Sequence, residues 1–213
     1  MQRLRINFDR SEGLKFLSHL DLLRLLERAF RRAGVELAYS EGFTPHPKFS
    51  LAAPLSVGVT SQAELMDVFL SGWESPTSFM NRIRTQLPIG LFVTDVQLVR
   101  LEEPSLQSRM RFAEYVVEIG TEMRSEKIQS GIELLLLASE IPWQHQRDTG
   151  CRHYDLRPLV DDVWLINAQD TLCTLGMRLI CSTKGAGRPE QVIKALGILH
   201  NLLSIHRTKL IFS

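Results

Sequence analysis

Arg3-Leu4-Arg5-Ile6-Asn7-Phe8-Asp9 alternates polar and apolar side chains, and Ser18-His19-Leu20-Asp21 then opens a different periodicity that runs to Gly34. Alternation with period two marks a strand with one buried face. Ser18-x-x-Asp21 is close to a capping box, in which hydroxyl and carboxylate satisfy free N–H groups at a helix start. From there Leu22, Leu26, Ala29, Phe30 and Ala33 recur at helical spacing, and Gly34 supplies a left-handed stop. A strand followed at once by an amphipathic helix sets the pattern for the rest.

Working outward, residues 35–39 suit a short strand, and Ser40 to Pro47 form a loop with fixed bends. Residues 49–57 can return as a strand, although Pro54 demands an edge or a bulge. Residues 64–70 alternate again. Pro76 follows Ser75 as the first residue of a helix to about residue 87, closed by Pro88, and residues 91–101 give a further strand. Glu102-Glu103-Pro104-Ser105 reads as a linker, after which the order restarts. Residues 111–119 alternate, 125–139 form a Leu-rich helix, and 154–166 and 172–181 supply strands. Pro189 opens a helix to about residue 203, and 209–212 form a terminal strand. The expectation is an α+β protein of tandem ferredoxin-like (βαββαβ) domains, one at 1–101 carrying the basic helix and one at 106–213.

The 213 residues hold 25 Lys+Arg against 24 Asp+Glu, a net charge of +1, with 44% apolar and 23% charged residues. Those proportions favour a globular core over disorder. No apolar run approaches the roughly 18–20 residues of a membrane span, and no apolar segment follows Met1-Gln2-Arg3-Leu4-Arg5, so neither a membrane partner nor a signal peptide is expected. Three widely spaced cysteines suit a reducing cytoplasm. The neutral total hides an asymmetry: residues 1–50 carry nine basic against six acidic side chains. A localised anion-facing patch or a solvated helix face would each produce it.

Arg24, Arg28, Arg31 and Arg32 fall on one helical stripe opposite Leu22, Leu26, Ala29 and Phe30. The planar guanidinium suits bidentate phosphate binding; pairing with Asp21 and Glu27 is the alternative. Gly42-Phe43-Thr44-Pro45-His46-Pro47-Lys48 is a stiff loop placing an aromatic near cations, suited to stacking a base beside its phosphate, unless Phe43 folds back as a core lid. Lys184-Gly185-Ala186-Gly187-Arg188, directly before a helix, reads as a generic anion loop and matches neither a Walker loop nor a dinucleotide fingerprint. Arg157, two residues after Asp155, is either a ligand contact or a structural ion pair. His19, Asp21 and His46 are the acid–base candidates, with no partnered nucleophile among them. No cofactor and no metal site is expected: Cys151-x-His153 with His145 lacks a second cysteine pair, and Cys173 and Cys181 lie on an alternating strand.

Phe16-Leu17-Ser18-His19-Leu20-Asp21, Arg24, Arg28-Ala29 and Arg31-Arg32-Ala33-Gly34, with the Gly42 to Lys48 loop and Pro54-Leu55-Ser56-Val57-Gly58, strongly resemble the radical-SAM-linked protein family. This is a bacterial domain found alone or fused behind a cobalamin-binding radical-SAM enzyme. Asp155-Leu156-Arg157-Pro158, Arg188-Pro189-Glu190 and Arg207-Thr208 continue the match more faintly, and Thr44 stands where the family usually has Asn. The resemblance implies association with a radical-SAM protein in trans rather than a mechanism. The chain lacks Cys-x-x-x-Cys-x-x-Cys and so cannot itself hold that enzyme's three-cysteine cluster. A more distant likeness, in element order and a glycine-rich loop, is to tandem ferredoxin-like endoribonucleases that process CRISPR RNA.

Together these readings predict a non-catalytic RNA-binding or substrate-presenting accessory, holding structured RNA such as tRNA or rRNA for a radical-SAM modification enzyme. Two alternatives stand beside it: a metal-independent endoribonuclease using His19 and His46, and a protein adaptor whose arginines grip an acidic face of the radical-SAM partner.

Overall fold

The opening alternation forms β1, Gln2–Arg10, in a computed structural model that describes residues 1–147, 150–169, 171–198 and 201–213. The fold is mixed α+β, with two units, Met1–Met110 and Arg111–Ser213. In the first, β1 is followed by α1 (His19–Arg32), β2 (Phe49–Leu51), β3 (Thr60–Leu70), α2 (Pro76–Arg84), β4 (Leu91–Val99) and α3 (Leu106–Arg109). β1 lies between β4 and β3, antiparallel to both, and β2 pairs antiparallel with β3. Since Leu4 and Ile6 of β1 face Val68 and Met66 across one edge, β2 takes those same β3 residues from the other.

α1 begins as its sequence dictates. Ser18 Oγ accepts the Asp21 N–H at 3.2 Å and donates to the Asp21 carboxylate at 2.7 Å, and Gly34 ends the helix at a φ of 65°. Leu22, Leu26, Ala29 and Phe30 are buried against Leu4, Ile6 and Phe8 of β1 and Phe79 of α2. Phe30 meets Phe49 edge-on at 5.9 Å and Phe79 at 6.0 Å. Leu22, Leu26, Phe30 and Phe79 each contribute about 1.5–3 kcal/mol through burial, which fixes α1 on the sheet and turns its arginines outward.

The other face of β1 is ionic. Arg3 and Arg5 share the buried Asp67 of β3. Arg3 donates to it at 2.6 and 3.1 Å, and Arg5 at 2.8 and 3.1 Å. Arg3 continues to the carbonyls of Arg100, Glu103 and Pro104 and lies over the Phe69 ring. The acidic stretch expected as a linker therefore packs on β1, and α3 follows it, where the sequence pattern gave no helix. Arg10 ends β1 in register with the apolar row. Its guanidinium donates to the carbonyls of Leu14, Lys15 and Leu17, at 3.0, 2.9 and 2.7 Å, ordering the turn that leads into α1.

The second unit contains β5 (Met110–Gly120), α4 (Ser125–Leu137), β6 (Pro142–Arg147), β7 (Gly150–Asp155), β8 (Val160–Gln169), β9 (Leu172–Ser182), β10 (Gly185–Ala186), α5 (Pro189–Ala195) and β11 (Leu202–Phe212). Strands run in the order β10-β9-β5-β11, with β8 also on β9, and β6 and β7 form a separate hairpin. Trp164 of β8 lies over Gly176 of β9, where any Cβ would fall 2.1 Å from the indole.

Several boundaries move from expectation for identifiable reasons. Residues 35–39 form only two isolated bridges, Leu37 to Leu70 and Tyr39 to Pro47. β2 stops at Leu51, ahead of Pro54. The helix at Pro189 ends at Ala195, with Gly197 at φ 73°, and β11 begins at Leu202; residues 199–200, through which the expected helix ran, lie outside the described residues.

Removing one partner from a buried ionic cluster strands the others. Asp67→Ala is expected to cost about 3–5 kcal/mol in urea unfolding. Arg5→Ala, which leaves the Arg3–Asp67 pair in place, costs clearly less.

Candidate nucleic-acid interface

All four arginines of the α1 stripe are exposed, opposite the buried face. They are not equivalent. Arg24 lies 3.7 Å from Asp21, a loose surface pair, and Arg31 binds Glu27 at 2.9 Å. Such pairs contribute about 0–1 kcal/mol and can be exchanged for a stronger anion. Arg28 has no ion pair or side-chain hydrogen bond among the described residues. Arg32 is different: it donates to the Gln86 carbonyl just past α2, at 2.7 Å. In return Arg82 of α2 donates to the Gly34 carbonyl past α1 at 3.2 Å, while binding Glu74 at 2.6 Å. Each helix thus donates to a carbonyl just past the other's C-terminal end, where positive charge also opposes the dipole. Arg32 is engaged in the fold, leaving Arg24, Arg28 and Arg31 as the accessible cations.

The loop after α1 is closed at its base. Ser40 N–H donates to the His46 carbonyl at 2.8 Å, and the His46 N–H donates to Ser40 Oγ at 3.0 Å. Lys48 N–H donates to the Ala38 carbonyl, and its own carbonyl receives the Phe69 N–H, so the loop is pinned to the end of β3. Phe43 stands beyond this base with a relative exposure of 110%. It is not a core lid. Lys48 is half-buried beside the loop base.

Of the second-unit candidates, Arg157, Gly185 and Gly187 are engaged within the fold. Arg157 donates to the Leu136 carbonyl, in the last turn of α4, at 2.8 Å, and to the Val160 carbonyl at 2.6 Å. Asp155 accepts the N–H groups of Ile141 and Arg157, so the expected Asp155–Arg157 side-chain pair is replaced by two separate backbone anchors. Gly187 is buried, and a Cβ there would sit 2.6 Å from the Leu159 carbonyl oxygen; close packing is what its glycine provides. Gly185 pairs with Ser182 in the β9–β10 ladder. Neither glycine has positive φ, and α5 spans only seven residues. Lys184 and Arg188 remain exposed on either side.

At the start of α1, His19 Nδ1 is buried without a hydrogen-bond partner among the described residues, while the Asp21 carboxylate is held by Ser18. No hydrogen bond or ion pair links His46 to either. Cys173 and Cys181 are buried, and burial pushes the Cys173 thiol up from its ordinary value, which suppresses thiolate chemistry; Cys151 is exposed. The side chain of His145 lies outside the described residues. No group of three His, Cys, Asp or Glu side chains able to hold a metal occurs among the described residues, and no helix is long and apolar enough to cross a membrane.

The chain belongs to a bacterial family: the model described as "Uncharacterized protein conserved in bacteria (DUF2344)" matches residues 3–189. No curated protein matches it. Among solved structures, a chain of a Cbf5-Nop10-Gar1 complex is similar with a TM-score of 0.54 at 11% identity, covering 97% of this chain and 48% of that one. A chain of an H/ACA RNP bound to a substrate RNA containing 2′-deoxyuridine gives 0.52 at 13% identity, covering 96% and 46%. An archaeal box H/ACA sRNP Nop10-Cbf5 complex gives 0.50 at 12% identity, covering 96% and 46%. The chain therefore spans about half the length of the chains it matches, and the likeness is one of fold.

The division among the arginines is measurable without any ligand. Arg32→Ala and Arg82→Ala each lower unfolding stability by about 0.5–1.5 kcal/mol, the net worth of a hydrogen bond. Arg28→Ala leaves stability within about 0.5 kcal/mol of the parent.

Proposed function

We propose that this protein is a non-catalytic RNA-binding accessory that contacts structured RNA through its first unit, in the cytoplasm, and presents it to a radical-SAM enzyme acting in trans. The observation that carries the reading is a surface left over after folding: Phe43, wholly exposed beyond a pinned loop, together with Arg24, Arg28 and Arg31, whose guanidiniums are unpaired or held only in exposed surface pairs. An exposed ring supplies a stacking platform, and accessible guanidiniums supply phosphate contacts. Lys48 is a further cation of the first unit, and Lys184 and Arg188 are the exposed cations of the second.

Fold likeness supports this reading, since one similar structure is of an RNP bound to a substrate RNA. The sequence motifs that resemble the radical-SAM-linked family support the partner. The tandem ferredoxin-like reading is supported by the βαββαβ order of the first unit, with β1 between β4 and β3 and β2 on the far edge of β3. The strand order β8-β9-β5-β11 in the second unit supports it likewise.

Binding of fluorescent bulk tRNA, followed by anisotropy across a salt series, tests the proposal. Affinity should fall steeply with salt, and Arg24→Ala/Arg28→Ala should reduce the slope by about two, one for each lost phosphate contact. Phe43→Ala should weaken binding by about 1–3 kcal/mol with the salt slope unchanged. A wild-type slope and affinity in the double arginine variant would sink the reading. Recovery of the radical-SAM partner only before nuclease treatment would place RNA between the two proteins; recovery after it would identify a protein adaptor.

A further inference from the structure

A cavity of about 320 Å³ in the first unit is walled by Gly34, Glu36, Gly72, Trp73, Glu74 and Arg82, and by none of the residues invoked for RNA. Its walls are fixed by backbone. Ser71 donates through its N–H and Oγ to the Glu36 carbonyl, and Gln2 exchanges two hydrogen bonds with the Glu74 backbone, at 2.7 and 2.8 Å. Gly72 keeps one wall open: a Cβ there would lie 3.1 Å from Glu36 Oε2.

The charge inside is unbalanced. Both Glu74 oxygens are used, one by Ser78 Oγ at 2.9 Å and the other by Arg82 at 2.6 Å, so that Glu74 and Arg82 neutralise each other. Glu36 is left over. Its carboxylate has no hydrogen bond or ion pair among the described residues. Trp73 is 78% exposed on the same cavity, and indole is the side chain that binds a cation best through its ring face. An unpaired carboxylate and an open indole line one small space.

We propose that this cavity is a binding site for an alkyl-guanidinium cation, which stacks on Trp73 and pairs with Glu36. A planar guanidinium can meet a carboxylate with two donors while lying flat on a ring. The same chemistry is carried by a free guanidine metabolite and by an arginine side chain of a partner protein. The site does not depend on the RNA reading, because it uses none of Arg24, Arg28 or Phe43.

The experiment follows the Trp73 indole N–H resonance of the full chain, identified by its loss in Trp73→Phe, during titration with agmatine, with an acetylated Gly-Arg-Gly amide, and with urea as the neutral isostere. Both guanidinium compounds should shift it saturably and urea should not. Glu36→Gln, an exposed isosteric change that leaves the fold intact, should weaken binding about tenfold or more, equivalent to about 1.4 kcal/mol. Arg24→Ala/Arg28→Ala should bind agmatine as the parent does, so that the two proposals fail separately. Tighter binding of the peptide identifies a partner's arginine as the source, and tighter binding of agmatine identifies a free cation. The proposal is overturned if no guanidinium compound gives a saturable shift by about 10 mM, far weaker than a two-point ionic contact should allow, or if Glu36→Gln binds as the parent does.

Discussion

Asp67 is the point on which the first unit is registered. A carboxylate buried between β1 and β3 would be intolerable alone, and the Arg3 and Arg5 guanidiniums make it tolerable only in one alignment of the two strands. Sliding β1 by one residue would place Leu4 against the carboxylate and turn Arg3 into the apolar layer. The ionic face thus dictates the apolar one. With Arg3 and Arg5 committed to Asp67, Leu4, Ile6 and Phe8 must face α1 and α2. That packing in turn leaves only the arginine side of α1 for solvent.

Arg10 extends the same logic to the end of the strand. It occupies a position in the apolar row, but the carbonyls of Leu14, Lys15 and Leu17 converge on it. A lysine offers fewer donors and no fixed fork, and could not bind three carbonyls in this way. Of the nine basic side chains in the first fifty residues, Arg3 and Arg10 are buried and Arg5 is held at Asp67. Much of the N-terminal excess of positive charge is therefore internal structure, and the surface share is carried chiefly by α1.

The helix of residues 19–32 was legible because its start, its stripe and its stop each carry a local chemical signature: Ser18, the Leu22–Leu26–Phe30 spacing and Gly34. The succession of strands and helices was legible in the alternating periodicities, whereas which strands pair depends on contacts distant in sequence, such as Leu4 with Val68. The roles of individual arginines were not. Nothing local distinguishes Arg28, which meets solvent, from Arg32, whose acceptor is fifty-four positions away, or from Arg157, which donates to the Leu136 carbonyl of α4. Gly187 looked like an anion cradle because a glycine is silent about whether it frees the backbone or admits a neighbour; here the neighbour is Leu159. Glu36 and Trp73 form no motif, since the cavity that unites them is made by the bridge of Leu37 to Leu70.

The crossed arginines at the ends of α1 and α2 also change how those helices come apart. Helix termini ordinarily fray one at a time, each on its own local free energy. Here, opening the last turn of α1 withdraws Arg32 from Gln86, and opening the last turn of α2 withdraws Arg82 from Gly34. Each excursion removes the partner's cap. The two ends are thereby coupled, each opening costing more while the other is closed, by about the 0.5–1.5 kcal/mol of a hydrogen bond.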